Sequence, residues 1–279
     1  MDSWSHGISV QGNDLSLVNE GSIVSDWSVI GFGKFEPGLS ATIENTGVIA
    51  TRYGGYAIAA SSQVHLTNDG TMSGKFGSLH FVSDGEDIVT NNGILDGMAK
   101  LGGGNDIYHG ESGSITGTVF GQAGDDLIAG GAGAENLSGG SGDDTITGGA
   151  GADRLTGATG ADHLSGGVGD DVFRFVTARE SQGDTIVASG GAAAFEGAGT
   201  AGGDRIDVST VDADEHVAGS QHFVFGTSHD AGHLWAVDVG GVTHILGSVS
   251  GDSTPEFDLA INDGAGVAAS DYSAADFIL

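Results

Sequence analysis

The chain has 279 residues, with 8 Lys and Arg against 38 Asp and Glu, a formal net charge of −30, 53 glycines and no cysteine. Such acidity argues against a nucleic-acid partner, whose phosphates need Lys and Arg, and against docking on anionic membranes. Disulfides contribute nothing, and no run approaches the ~20 apolar residues of a membrane span.

The N-terminal MDSWSHGISVQGNDL lacks both the basic start and the apolar stretch of a secretory signal peptide, so export is expected to use another signal. Trp4, Trp27, Phe32 and Phe35 stand where a solenoid needs an N-terminal cap, because an open end exposes a strand edge and an apolar core. From about residue 15 to 120 a loose repeat follows: VNEGSIV (18–24), ENTGVIA (44–50), TNDGTMSG (67–74), TNNGILDG (90–97) and GESGSITG (110–117). Asn19, Asn45, Asn68 and Asn91 fall 26, 23 and 23 residues apart. That spacing suits the coils of a parallel β-solenoid, with Asn and Gly turning the corners because both tolerate left-handed backbone. An antiparallel β-domain with Asn-Gly-like turns is the alternative. In TRYGGY, Arg52, Tyr53 and Tyr56 read first as aromatic packing between coils and second as a sugar-binding face.

A stricter repeat takes over downstream. VSDGEDIVT (82–90) and LGGGNDIYH (101–109) introduce it, separated by residues 91–100; GESGSITGTVF (110–120) has lost the aspartate. Then come six contiguous nonapeptides: GQAGDDLIA (121–129), GGAGAENLS (130–138), GGSGDDTIT (139–147), GGAGADRLT (148–156), GATGADHLS (157–165) and GGVGDDVFR (166–174). Each follows G-G-x-G-x-D-x-U-x, with U apolar: Ile128, Leu137, Ile146, Leu155, Leu164 and Phe173. The glycine-rich part suits a tight turn with φ > 0. The last three residues suit a short strand with its middle side chain facing inward. With two copies per coil, Asp126, Asp144 and Asp162 stack on one edge and Glu135, Asp153 and Asp171 on the other. At a strand spacing of ~4.8 Å such carboxylates repel, and a hard divalent cation taking oxygen ligands resolves the repulsion.

This pattern resembles the calcium-binding nonapeptide repeat of RTX proteins, whose fold is a parallel β-helix. The fold class expected is therefore all-β: a right-handed parallel β-helix or β-roll solenoid with calcium-binding turns and a C-terminal β cap. The expected ligands are the carboxylates Asp87, Asp106, Asp126, Glu135, Asp144, Asp153, Asp162 and Asp171. With them go the turn glycines Gly102, Gly104, Gly124, Gly131, Gly133, Gly140, Gly142, Gly149, Gly151, Gly160, Gly167 and Gly169. About five or six Ca2+ ions are expected on this reading, with Glu135 leaving the weaker site.

After Phe175 the period stops. GDTIVAS (183–189), GDRIDVSTVD (203–212), QHFVFG (221–226), HLWAVDV (233–239) and FDLAI (257–261) read as strands, and the chain closes on ADFIL. With the nonapeptides before it, this part resembles the C-terminal calcium-binding domain of serralysin-type metalloproteases, also similar to modules of type I-secreted lipases and mannuronan C5-epimerases. The resemblance implies an uncleaved secretion signal at Asp276–Leu279, read by type I secretion machinery. The domains expected are 1–81 (N-terminal solenoid and cap), 82–175 (calcium-binding β-roll) and 176–279 (C-terminal β domain).

No catalytic centre is visible. The H-E-x-x-H of the proteases and the G-x-S-x-G elbow are absent, and no Asp-Pro-His cluster of the epimerase type occurs. His229 and His233 share a glycine-rich HDAGH with no glutamate base, short of the three ligands a catalytic zinc needs. The function expected is a secreted, non-catalytic calcium-binding protein that folds on meeting Ca2+ outside the cell. Its place of action is the cell surface or extracellular matrix, with an extracellular polysaccharide or the surface itself as partner. The alternatives are the folding and secretion module of a larger secreted enzyme, and a polysaccharide-binding or polysaccharide-modifying solenoid.

Overall fold

A computed structural model describes residues 8–10, 15–27, 30–32, 40–189, 191–198, 203–214, 221–250, 254–263 and 267–279. Trp4 and Phe35 lie outside them, and of Phe32 only the strand backbone is described. The chain divides into two compact units, residues 1–139 and 140–279. Among the described residues, the helical structure is confined to three short 3₁₀ turns at Ala178–Ser181, Ala269–Asp271 and Ala274–Asp276. No helix is long and apolar enough to cross a membrane.

The first unit is a parallel solenoid with three sheets. Its chain runs through Tyr56–Ala60, Gln63–Asn68 and Thr71–Ser73, then through Gly77–Phe81, Ile88–Asn91 and Ile94–Asp96, visiting the three sheets in the same order on each coil. Each strand pairs in parallel with its counterpart one coil on, so that Ile43, Leu66, Val89 and Tyr108 form one inward column. All four are buried, whereas Thr42 and His65 on the alternate positions are less so, as the two-residue period of a strand requires. These pairings replace the antiparallel alternative. The third sheet ends at Ser114–Ile115, just before the nonapeptides begin at Gly121. Nine residues make one turn and one short strand, which is too little chain for a third side.

The asparagines at the corners form a ladder. Asn19 Nδ2 donates to Asn45 Oδ1 (2.7 Å), Asn45 to Asn68 (2.8 Å) and Asn68 to Asn91 (2.8 Å). A carboxamide carries both donor and acceptor, so identical side chains stacked at strand spacing satisfy one another while buried. Two residues after each asparagine the backbones almost touch: a Cβ on Gly47, Gly70 or Gly93 would collide with the carbonyl of Gly21, Gly47 or Gly70. That contact, rather than left-handed backbone, requires glycine here.

In the second unit parallel stacking continues past the last nonapeptide. Thr185–Val187 pairs with His163–Val168, and Arg205–Asp207 with Val172–Arg174. Phe257–Asn262 then adds to Thr185–Val187 in parallel, and the sheet turns antiparallel through Val242–Ser248 and His233–Val239. Val242–Ser248 was not expected as a strand. It follows a two-residue Gly240-Gly241 turn with both φ positive (65° and 89°), a turn whose twist suits a tight hairpin. The C-terminal Phe277–Ile278 closes on Ile206–Asp207. Aromatic rings fill the space beneath: Phe173 against Phe195, Phe175 against Phe257 and Phe195 against Tyr272.

Arg154 reaches past the intervening Val172–Arg174 strand to Asp207 (2.8 Å), which also accepts from the Ser209 hydroxyl (2.7 Å). Burial pushes the Asp207 carboxyl up, but these hydrogen bonds and the arginine charge outweigh it and hold the pKa below the usual aspartate value.

Replacing Asn68 with Ala strands the amides of Asn45 and Asn91. It should lower stability to urea by about 1–3 kcal/mol. Asn92→Ala, beside the ladder's Asn91 in sequence but exposed, should cost less than about 0.5 kcal/mol. Equal losses in the two variants would contradict the ladder.

Carboxylate ladders in the β-roll turns

The nonapeptide turn alternates left-handed and ordinary backbone. Positions two and four take positive φ: Gly140 and Gly142 (136° and 122°), Gly149 and Gly151 (113° and 119°), Gly167 and Gly169 (96° and 143°). Gly102 and Gly104 do the same in the upstream copy at 101–109, as do Gly124 and Gly160 at position four. Two copies lack glycine at position two, and there Gln122 (φ 89°) and Ala158 (φ 79°) adopt the strained conformation, at roughly 1–2 kcal/mol each. The turns stack so closely that a Cβ on Gly160 or Gly169 would collide with the carbonyl of Gly142 or Gly151 one coil below.

The first glycine has a different task. Its missing Cβ leaves room for the aspartate five residues later: a methyl on Gly121, Gly148, Gly157 or Gly166 would strike Oδ2 of Asp126, Asp153, Asp162 or Asp171. The carboxylate is thus folded back inside its own turn.

The other oxygen, Oδ1, links coils. It accepts the backbone N–H of the aspartate one coil earlier. In the first unit Asp87 N–H donates to Asp106 (2.7 Å) and Asp106 N–H to Asp126 (2.8 Å). In the second, Asp144 N–H donates to Asp162 (2.8 Å) and Asp162 N–H to Asp184 (2.8 Å) along one edge. Along the other edge Asp153 N–H donates to Asp171 (2.8 Å) and Asp171 N–H to Asp204 (2.9 Å).

The two oxygens of one carboxylate therefore fare differently. Oδ2 of Asp106, Asp162, Asp171 and Asp184 is buried with no hydrogen-bond partner. Two members of the ladders are instead satisfied by the protein. Asp87 accepts from the Val64 N–H (2.5 Å) and the Ser83 hydroxyl (2.6 Å). Asp204 accepts from the N–H groups of Asp171 and Glu196 (2.8 Å for the latter). Desolvation dominates the electrostatics throughout. Burial, reinforced by neighbouring carboxylates, pushes Asp106 and Asp184 up to about 8, Asp204 to about 7 and Asp126 to about 6; burial alone raises Asp87 to about 7. Asp162 and Asp171 are raised for the same reason.

Glu135 departs from this scheme. Gly131 and Gly133 in its copy do not adopt the left-handed backbone of the other turns. The longer side chain reaches back over them, with Oε2 accepting from the Gly131 N–H (3.4 Å).

Asp184 and Asp204 were not among the expected ligands. Both sit in Gly-Asp-x-Ile, the tail of a nonapeptide without its glycine-rich head, and that fragment is the signal that marks them. His229 and His233 do not converge on a metal: His229 stacks on Trp235 (4.4 Å), and among the described residues no three His, Cys, Asp or Glu side chains gather at one point. Buried, partnerless Oδ2 atoms beside stacked carbonyls are a donor set that fits hard, oxygen-seeking Ca2+.

Residues 117–146 and 138–173 match the RTX calcium-binding nonapeptide repeat. The chain thus carries RTX calcium-binding repeats folded as a parallel β-roll. Among solved structures it is similar to the solution structure of the AlgE6R3 subunit from the Azotobacter vinelandii mannuronan C5-epimerase. The identity is 29%, over 55% of this chain and 79% of that one, with a TM-score of 0.38. No curated protein matches the chain.

The raised carboxylates set the pH dependence of the metal-free protein. Between the unfolded value of 3.8 and the folded value of about 8 for Asp106 and Asp184, the native state holds protons that the unfolded chain has released. Stability then falls as pH rises. In EDTA the chain should hold more β structure by circular dichroism at pH 5 than at pH 8; a flat or opposite trend would show that these groups are not buried without calcium.

Proposed function

We propose that this is a secreted, non-catalytic calcium-binding protein that uses Ca2+ as its folding switch outside the cell and acts at the cell surface or in the extracellular matrix. The observation that carries the reading is that the buried Oδ2 atoms of Asp106, Asp162, Asp171 and Asp184 meet no protein donor. In the first unit Asp106 and Asp126, with Glu135, would hold ions; in the second, Asp144, Asp162 and Asp184 would hold them along one edge and Asp153 and Asp171 along the other, with carbonyls of the turn glycines. Asp87 and Asp204, satisfied by protein donors, close the ladders. When bound, Ca2+ supplies a divalent charge that accepts six to eight oxygens at about 2.3–2.6 Å. About five or six ions fit this set, and we assign the division 1–81, 82–175 and 176–279 to N-terminal solenoid, calcium-binding roll and C-terminal domain.

The folding switch follows from desolvation. Without the cation, closing the turns confines like charges away from water; a ligand that binds only the folded form drives folding by mass action. An intracellular chain short of calcium then stays open for export. The C-terminal end fits the same order of events. Once folded, Asp276 is buried and accepts the Ser273 N–H (2.7 Å), while Phe277–Ile278 is paired in a sheet. Type I secretion machinery would read Asp276–Leu279 before that strand closes.

The test is a calcium titration followed by circular dichroism, with EDTA and Mg2+ controls. A cooperative coil-to-β transition specific for Ca2+ is the expected result. Asp144→Ala and Asp184→Ala should each raise the midpoint about tenfold or more and reduce cooperativity. Asp87→Asn should lower stability with little change in midpoint. A chain already fully folded in EDTA at neutral pH would overturn the switch.

A further inference from the structure

The corner of the first unit that leads from the third sheet back to the first carries a column of side chains that the calcium ladders do not use. Trp27, Tyr53 and Phe76 follow the third-sheet strands of three successive coils, and they are 52%, 64% and 54% exposed. Backbone hydrogen bonds stack these corners: the Tyr53 N–H donates to the Asp26 carbonyl (3.0 Å) and the Phe76 N–H to the Gly55 carbonyl (3.1 Å). Gly54 lets the rings converge, since a Cβ there would meet the Trp27 ring at 2.9 Å and the Phe76 ring at 3.5 Å. The aromatic surface runs on to the first sheet, where Tyr56 meets Phe76 edge-on (6.3 Å) and stacks on His80 (4.5 Å).

Charge is distributed to match. The chain has only 8 Lys and Arg, and Arg52, Lys75 and Lys100 are all of those in the described part of the first unit. Arg52 adjoins Tyr53, Lys75 adjoins Phe76, and Lys100 pairs in register with His80. Arg52 lies 3.6 Å from Asp26, and Asp96 accepts from the Thr116 hydroxyl. Contiguous exposed apolar surface marks a binding site. Here rings recur at the strand spacing of ~4.8 Å with a cation beside each of the last two. That array complements a linear ligand whose every repeat offers an apolar ring face and a negative charge.

We propose that this column binds a linear anionic polysaccharide. The rings of Trp27, Tyr53 and Phe76 stack against the C–H faces of its sugars, and Arg52, Lys75 and Lys100 pair with its carboxylates or sulfates. Single-stranded nucleic acid also alternates ring and charge, and matched DNA is therefore the competing ligand in the test below. The inference rests on the extracellular reading above, since such polymers are met there, but not on the calcium affinity.

The test is calorimetric titration of the full chain at one fixed free calcium concentration. The ligands are an oligouronate too short to gel, a sulfated oligosaccharide, a neutral glucan oligomer and single-stranded DNA of matched length. At least one acidic oligosaccharide should bind, more weakly with added salt, and the one that binds identifies the source of the charge. Tyr53→Ala with Phe76→Ala, and separately Arg52→Glu with Lys75→Glu, should each weaken binding about tenfold or more. The calcium-induced folding transition of both variants should stay that of the parent, which separates failure of this site from failure of the folding switch. Absence of binding by both acidic oligosaccharides, equal or tighter binding of the glucan or DNA, or indifference to substitutions that leave the dichroism spectrum intact would overturn the proposal.

Discussion

The β-roll depends on burying carboxylates that have only half of their hydrogen bonds. Asp106, Asp126, Asp162, Asp171, Asp184 and Asp204 use Oδ1 to accept a backbone N–H from the preceding coil, which ties coils together along the stack. The other oxygen, Oδ2, is turned back into its own turn, where at Asp106, Asp162, Asp171 and Asp184 no protein donor meets it. Leaving such an oxygen dry is costly, and the raised proton affinity of these groups is the same cost read on another scale. The rest of the turn follows from this arrangement. Left-handed glycines at positions two and four bend the chain tightly enough, and the first glycine leaves the volume that the carboxylate occupies.

The two kinds of coil solve one problem with two chemistries. Both place a single polar residue per corner and stack it coil on coil. In the N-terminal coils the residue is asparagine, whose amide donates to the next copy and accepts from the previous one, so the column is complete within the protein. In the nonapeptides it is aspartate, which only accepts, so a column of aspartates stays short of positive charge however well it packs. That difference of one functional group assigns calcium dependence to the second kind of coil. The change from three sheets to two has a related origin in chain length: coils of 23 residues between Asn45, Asn68 and Asn91 have chain for a third side, and paired nonapeptides do not.

Much of this was legible in the residues. The asparagine corners, the period of nine, the inward Ile, Leu and Phe and the stacking of carboxylates all follow from local pattern, because each coil repeats the same contacts with its neighbours. Legibility failed where the pattern was broken. Asp184 and Asp204 continue the ladders from Gly-Asp-x-Ile fragments whose spacing, 22 and 33 residues from their partners, hides the register. Val242–Ser248 was missed as a strand although the Gly240-Gly241 turn announces a hairpin. The copy containing Glu135 reads as an ordinary nonapeptide, yet its glycines do not adopt the common turn.

What the sequence by itself determined is the repeating unit: its turn, its inward apolar residue, its carboxylate and the charge that an oxygen-seeking cation would neutralise. A repeat makes these choices locally, so a single strand of text contains them. Only the tertiary structure decided which oxygen of each carboxylate is already used, which members close a ladder and which remain open, and that Trp27, Tyr53 and Phe76 form one exposed column. Those outcomes depend on donors such as Val64 and on glycines such as Gly54, brought beside their partners by coil stacking, and on local donors such as Ser83 whose aim the turn alone sets.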